Sequence, residues 1–330
     1  MPVDLSHGRG LDTRHSPMNG PVTTATRLAS VAVYVPEHSY SLEEVAEVLG
    51  LTARELKRYR RFMGLDRVRW DPAARQSDLL VSAARLLPDL SNVRHVIHAR
   101  TIEPTGPYSA NALHDATREL GLGHVPAFGL SQHACASGLL GIDLAGRILR
   151  ADGDPSGQVL LLTGEKTYPH VARYMPASTV MGEASAACLV GLGGERDRLV
   201  AFETRTLGAF NDFGAGSGES IAEFERSYPD TLAELLRTVT GKAGVALEDV
   251  RQILPHNINR ISWVRVCQML DLPVDRVLLD TIPVTGHCFC ADSFVNYAHA
   301  LDRGLLRHGD HYLMASVGLG ATFSAMLFKH

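Results

Sequence analysis

Ser131-Gln132-His133-Ala134-Cys135-Ala136-Ser137-Gly138-Leu139-Leu140 sets a single cysteine among small residues. Ile142, Leu144, Ala145, Ile148 and Leu149 follow at a spacing that suits one buried helix face. The stretch therefore predicts a tight turn feeding a buried helix, with Cys135 at or near the helix N-terminus. The partial positive charge of a helix N-terminus favours thiolate over thiol. Small neighbours leave room for a substrate to reach the sulfur, which makes Cys135 a candidate nucleophile.

Outward from this turn, the chain carries a weak internal repeat. Val93-Arg94-His95-Val96-Ile97-His98 resembles Val250-Arg251-Gln252-Ile253-Leu254-Pro255. Gln158 to Gly164 resembles His311 to Ser316, and Ala184 to Leu192 resembles Ala321 to Phe328. A helical run precedes each middle strand, Gly138 to Arg150 in the first half and Phe294 to Leu306 in the second. Continuous apolar strands predict a sheet covered by helices on both faces. The simplest organisation is α/β, with a mobile N-terminal extension at 1–25, one half at 26–195 and a related half at 196–330. In this register Cys135 lies opposite His287 to Cys290.

The remaining punctuation is local. Leu28 to Val35 reads as a strand ended by Pro36. Ser41-Leu42-Glu43-Glu44 is a capping box, opening a helix that Gly50 stops. Thr52 to Phe62 reads as a second helix carrying Lys57, Arg58, Arg60 and Arg61, either a solvated face or a phosphate-binding rim. Asp78 to Leu87 reads as an amphipathic helix. Gly208 to Asp230, rich in Gly, Ser and acids, reads as an irregular insert or lid.

A chain of 330 residues with 45% hydrophobic and 21% charged residues has the composition of a soluble globular protein with a large core. Net charge of -4 gives no field for nucleic acid, and no apolar run reaches the ~20 residues of a membrane span. The polar start lacks the apolar core of a signal peptide, so a cytoplasmic location is expected. Five cysteines are then reduced thiols, of which Cys188 and Cys267 read as small buried hydrophobes. His287-Cys288-Phe289-Cys290 has a poor spacing for zinc, and no metal is expected.

Three motifs in the second half can converge on Cys135. Leu254-Pro255-His256-Asn257-Ile258-Asn259 brings a histidine off a strand end, fit to be a base or a donor. Gly286-His287-Cys288-Phe289-Cys290-Ala291-Asp292 enters a helix, and its Asp292 can orient a histidine or merely cap the helix. Ser316-Val317-Gly318-Leu319-Gly320-Ala321-Thr322 joins two strands through glycines, which let backbone N–H groups approach a ligand as an oxyanion hole requires. His133, His170 and Glu183 are further candidates for the pocket wall.

With these residues the chain resembles the ketosynthase III group of the thiolase-fold superfamily, from about Ala29 to the C-terminus. Ala134 to Gly138 matches the nucleophile motif, and His256-Asn257-Ile258-Asn259 is similar to its His-Gln-Ala-Asn motif. Met181 to Ala187 and Gly318 to Thr322 resemble its Phe-Gly-Asp-Gly-Ala segment and its last glycine-rich strand. The resemblance implies a homodimer of duplicated αβαβα halves, each chain a five-layer sandwich. It implies that Cys135 takes an acyl group from coenzyme A or from the phosphopantetheine of an acyl carrier protein. His256 would support the transfer, and the N–H groups of Cys135 and Gly320 would form the oxyanion hole, each worth roughly 3 kcal/mol of barrier. Asn259, Arg58 and Arg61 would contact substrate.

Two departures stand out. Condensing members carry Asn where this chain has His287; elongating ketosynthases use a Cys-His-His set, and relatives from antibiotic pathways replace the Asn with an acid, some of them acylating oxygen or nitrogen. The tryptophan that stacks on adenine is also missing, its place falling within Arg58 to Arg61. The expected function is a ping-pong acyltransferase of polyketide or other specialised metabolism, passing the acyl group to a small-molecule alcohol, an amine or a carrier thiol. The alternatives are decarboxylative condensation with malonyl-carrier protein and a catalytically silent partner subunit. A degradative thiolase fits less well, because Val317-Gly318 stands where that group has a second cysteine.

Overall fold

A computed structural model of the protein describes residues 24–102, 110–168, 173–176, 178–210 and 218–330. The expected mobile extension therefore lies almost wholly outside the described residues, as do His170 and residues 211–217. The first half contains β1 (Thr26–Tyr34), β2 (Ser39–Ser41), α1 (Leu42–Leu49), α2 (Ala53–Arg58), β3 (Arg67–Arg69), α3 (Gln76–Ala84), β4 (Val93–Ala99), α4 (Ala112–Glu119), β5 (Ala127–Leu130), α5 (Ser137–Asp152), β6 (Gln158–Gly164), β7 (Tyr174–Met175), β8 (Thr179–Val180) and β9 (Ser185–Leu192). The second contains β10 (Arg198–Thr206), α6 (Gly218–Lys242), β11 (Val250–Pro255), α7 (Arg260–Leu270), α8 (Ile282–Thr285), α9 (Asp292–Asp302), β12 (His311–Gly318) and β13 (Thr322–Lys329).

The weak repeat becomes a topological one. Nine strands lie in the order β11-β12-β13-β10-β1-β9-β6-β4-β5, and each half repeats one pairing scheme. In the first, β1 pairs antiparallel with β9, β9 with β6, and β6 runs parallel to β4. In the second, β10 pairs antiparallel with β13, β13 with β12, and β12 runs parallel to β11. The halves join through the Arg27–Arg198 pair of β1 and β10. The counterpart of β5 is only an isolated bridge between Val277 and Ile253.

Five layers result. Leu139, Ile142, Ala145 and Leu149 of α5 meet Phe294, Tyr297 and Ala300 of α9 in one core between the two halves of the sheet. Burying each larger side chain contributes about 1.5–3 kcal/mol. Helices α3 and α4 cover the outer face of the first half, and α6 and α7 that of the second. The central pair is buried over its N-terminal turns, where its residues are mostly apolar or small, and carries exposed charges such as Arg147 and Arg150 toward the end of α5.

Local signals hold in detail. Ser41 and Thr52 each close a capping box, on Glu44 and Glu55, and Gly50 ends α1 in the left-handed region at φ 67°. The helix expected from Thr52 to Phe62 is α2 followed by a π-helical turn, Tyr59–Met63. The insert expected over Gly208 to Asp230 needs correction, because α6 starts at Gly218 and runs 25 residues straight through Pro229. Tyr228, Leu232, Leu235, Leu236 and Val239 recur on one face and are buried against the sheet. That burial outweighs the one backbone hydrogen bond a proline forfeits.

Candidate active site

The candidate nucleophile Cys135 directly follows a strained residue. Ala134 has φ 45°, and Ala134–Ala136 form a single 3-10 turn that delivers Cys135 to the start of α5. The second half repeats the device: Phe289 has φ 56°, and Phe289–Ala291 lead into α9. Cys290 thus takes in one half the place Cys135 takes in the other. Burial pushes the Cys290 thiol well up, helped by Glu165 and Cys135, and it donates to the Ala134 carbonyl 3.2 Å away. Cys290 is held as a thiol, while Cys135 meets a base.

That base is His287, whose Nε2 lies 3.2 Å from Cys135 Sγ. Gly286 at φ 69° turns the chain so that His287 N–H donates to the Val180 carbonyl at 3.0 Å. Gly182 N–H donates back to the His287 carbonyl at 2.9 Å. On the ring's far side Nδ1 meets the Asp292 carboxylate. Asp292 also accepts from the N–H groups of Asn257 at 2.5 Å and Cys288 at 2.7 Å. Burial alone would push His287 down, but the Asp292 carboxylate and Cys135 outweigh it and hold the imidazole up at about 10. Cys135, His287 and Asp292 are each no more than 4% exposed. A thiol, an imidazole and a carboxylate in line can act as a nucleophile, a base and the group that orients the base.

His256 is held differently. Its N–H donates to the Ala315 carbonyl at 2.8 Å and its carbonyl accepts from Trp263 Nε1 at 3.0 Å. Its ring centroid lies 6.1 Å from that of His287. Burial, with the charge of His287 adding, pushes it down to about 3, so it stays neutral. Its Nε2 lies 2.9 Å from the Tyr228 hydroxyl.

Sequence reasoning overlooked Tyr228, Thr101 and Glu165. The Thr101 hydroxyl donates to Cys135 Sγ at 3.4 Å and lies 3.5 Å from Cys290 Sγ. Buried Glu165 accepts from the N–H groups of Thr101 at 2.6 Å and Ile102 at 2.8 Å, which fixes that hydroxyl in place. The only available signal was position: Thr101 and Glu165 each fall just past the end of a parallel strand, where α/β sheets place their ligands.

A cavity of about 1070 Å³ opens onto these groups and is lined by Cys135, His256, His287, Thr101 and Tyr228. Phe224, Phe289, Met175 and Met181 make its interior apolar, and Arg54, Lys57, Arg58 and Arg265 outnumber Glu55 and Glu225 among its charged lining residues. Not every expected contact is there. Arg61 lines a neighbouring cleft, not this cavity, because α2 stands between the two. Asn259 lines the cavity, yet its amide caps α7 through Ser262 N–H at 2.8 Å and donates to the Ser178 carbonyl at 3.0 Å. Val317, Gly318 and Leu319 line the cavity where Gly320 was expected, so the loop reaches it one or two residues earlier. Glu183 is no pocket residue: it is buried against Lys166, accepting from Thr167 and Asp71 N–H. His133 is half-buried beside the turn and does not line the cavity. Among the described residues no helix is long and apolar enough to cross a membrane, and no cluster of His, Cys, Asp and Glu is arranged to hold a metal ion.

Residues 241–330 match the family model of the C-terminal region of 3-oxoacyl-[acyl-carrier-protein] synthase III. The chain is 26% identical to β-ketoacyl-[acyl-carrier-protein] synthase III of Pseudomonas aeruginosa over 232 residues, covering 64% of this chain and 68% of that protein. It is 26% identical to the Cereibacter sphaeroides protein of the same name over 279 residues, 78% of this chain and 83% of that one. Among solved structures, the P. aeruginosa 3-oxoacyl-(acyl carrier protein) synthase III superposes with a TM-score of 0.78 at 23% identity, over 92% of this chain and 98% of the other. The acyltransferase ChlB3 superposes at 0.80 and 20% identity, over 92% and 97%. A variant of Xanthomonas campestris OleA superposes at 0.79 and 16% identity, over 94% and 99%.

Proposed function

Because this chain is a ketosynthase III-like protein with the thiolase fold, we propose that it is a ping-pong acyltransferase whose nucleophile is Cys135. One observation carries the reading: His287 meets the Cys135 sulfur on one side and the buried Asp292 carboxylate on the other. An imidazole so placed can take a proton from an incoming hydroxyl or amine and give it up later. In the first half-reaction the Cys135 sulfur attacks the thioester carbonyl. The donor's C–S bond breaks, and its leaving thiolate takes the proton from His287. In the second half-reaction neutral His287 removes the acceptor's proton as the acceptor attacks the acyl-cysteine. The Cys135–acyl bond then breaks, restoring thiolate beside imidazolium. The N–H of Cys135 and an N–H of the Gly318–Gly320 loop would hold the oxyanion.

The positive lining of Arg54, Lys57, Arg58 and Arg265 suits the phosphates of a phosphopantetheine donor, on coenzyme A or on an acyl carrier protein. The reading includes a homodimer and a role in polyketide or other specialised metabolism. Intact-protein mass spectrometry after incubation with acyl-coenzyme A and acyl-carrier donors tests it. Wild type should gain one acyl group and Cys135→Ala none. Acylation of the alanine variant would refute the nucleophile, and release of carbon dioxide from malonyl donors by wild type would refute simple transfer.

A further inference from the structure

Tyr228 is placed on α6 by the same apolar stripe that packs that helix on the sheet, and it is 8% exposed. Its hydroxyl reaches His256 Nε2 at 2.9 Å. Both groups line the cavity. Burial pushes the phenol up and the imidazole down, so neither ionises at neutral pH. A neutral imidazole carries one N–H. His256 Nδ1 is buried with no hydrogen-bond partner among the described residues, so a proton there would be a buried donor without an acceptor. Whichever group donates, Nε2 is engaged by the Tyr228 hydroxyl, and it is the one ring nitrogen of His256 with a partner among the described residues. The donor that His256 could offer a substrate is occupied by the protein's own side chain.

We propose that Tyr228 determines which chemistry the cavity performs: its phenol oxygen fills the place from which a substrate carbonyl oxygen would accept the His256 Nε2–H, so a bound malonyl thioester keeps its carboxylate. Loss of carbon dioxide from a malonyl thioester breaks the bond between the carboxylate carbon and C2. The electron pair moves into the thioester carbonyl, giving an enolate oxygen that needs a donor, and water then supplies a proton to C2. His287 offers no free donor in compensation, since its Nε2 faces the Cys135 sulfur at 3.2 Å and its Nδ1 is taken by Asp292. With His256 withheld, an acyl group on Cys135 is kept for an oxygen or nitrogen acceptor. The inference rests on the acyltransferase reading and sharpens it, because it makes the outcome depend on one hydroxyl.

Malonyl-coenzyme A is the probe, with carbon dioxide release and the mass of Cys135 followed separately. Tyr228→Phe keeps the ring and removes the oxygen, which leaves Nε2–H free to meet the thioester carbonyl. Its carbon dioxide release should exceed that of wild type by at least about ten-fold, a modest share of what one oxyanion donor supplies. The double variant Tyr228→Phe/His256→Ala should fall back to the wild-type rate. Equal release by wild type and Tyr228→Phe overturns the proposal, as does release that survives in the double variant. Failure of wild type to acylate Cys135 is a separate result that strikes only the transferase reading, since decarboxylation needs malonyl binding and not loading.

Discussion

Asp292 accepts from two backbone N–H groups and meets the ring of His287, so one buried carboxylate joins the His256 loop, the Cys288 turn and the base. The proton it holds on His287 links activity to stability. His287 is raised from 6.5 to about 10 in the folded chain. Its contribution is fully present below pH 6.5, where the unfolded imidazole is protonated too, and is lost as pH rises through 10. Asp292→Asn removes the carboxylate responsible. Melting temperatures of wild type and variant should differ most near pH 6 and converge toward pH 10, and a gap that does not change with pH would contradict the assignment. The loading rate of the variant should fall by about a hundred-fold, through a misplaced base. Cys135, His256, His287 and Asp292 were all legible in the sequence, because each sits in a short motif at a strand or helix end. Tyr228 and Thr101 were not: each reaches the site only through a fold that brings distant elements together, and neither stands in a motif. Arg61 and Asn259 show what a motif position leaves open, namely which side of a helix the side chain leaves by and whether a cap has claimed it.

The element that matters most is the turn before each central helix, and glycines decide how closely other strands approach it. A Cβ on Gly318 would lie 1.9 Å from the His133 carbonyl oxygen and 3.0 Å from Ala134 Cβ. The end of β12 therefore presses directly on the nucleophile turn, an approach reinforced by the Ser316 hydroxyl donating to the Cys135 carbonyl at 2.9 Å. Gly318→Ala must push that turn, which costs about 1–3 kcal/mol by overpacking. Urea unfolding should show that loss, and Cys135 acylation should slow at least ten-fold. Gly208→Ala, with nothing within 4 Å of the added carbon, should change neither. A silent Gly318→Ala would mean the turn is not held from this side. At this scale the sequence was a good guide to strands and capping boxes and a poor one to α6. Gly, Ser and acids dominated the reading of 208–230, while the deciding fact was an apolar face that only the packed sheet reveals.

The molecule as a whole ends unevenly. At the β11 edge the sheet is continued by the Val277 bridge to Ile253, whereas β5 at the other end has no strand beyond it among the described residues. Its four residues, Ala127–Leu130, present Phe128 at 40% exposure and Gly129 beside it. A row of open backbone groups with an apolar side chain is a template for another strand, and natural edges without charge or proline are normally covered. No charged residue or proline occurs within β5. A second copy of the chain, adding its own β5 antiparallel, would satisfy both copies at once, because a two-fold axis makes each the other's partner. This is the physical case for the expected homodimer, and duplication of the fold within the chain does not replace it, since the internal join uses β1 and β10. Light scattering on the eluting protein should give twice 35.8 kDa for wild type. Phe128→Asp places a charge against its own copy across the axis and should shift the dissociation constant upward at least ten-fold, toward monomer. A variant that stays dimeric at the same concentrations would move the interface away from β5, and a monomeric wild type would remove it.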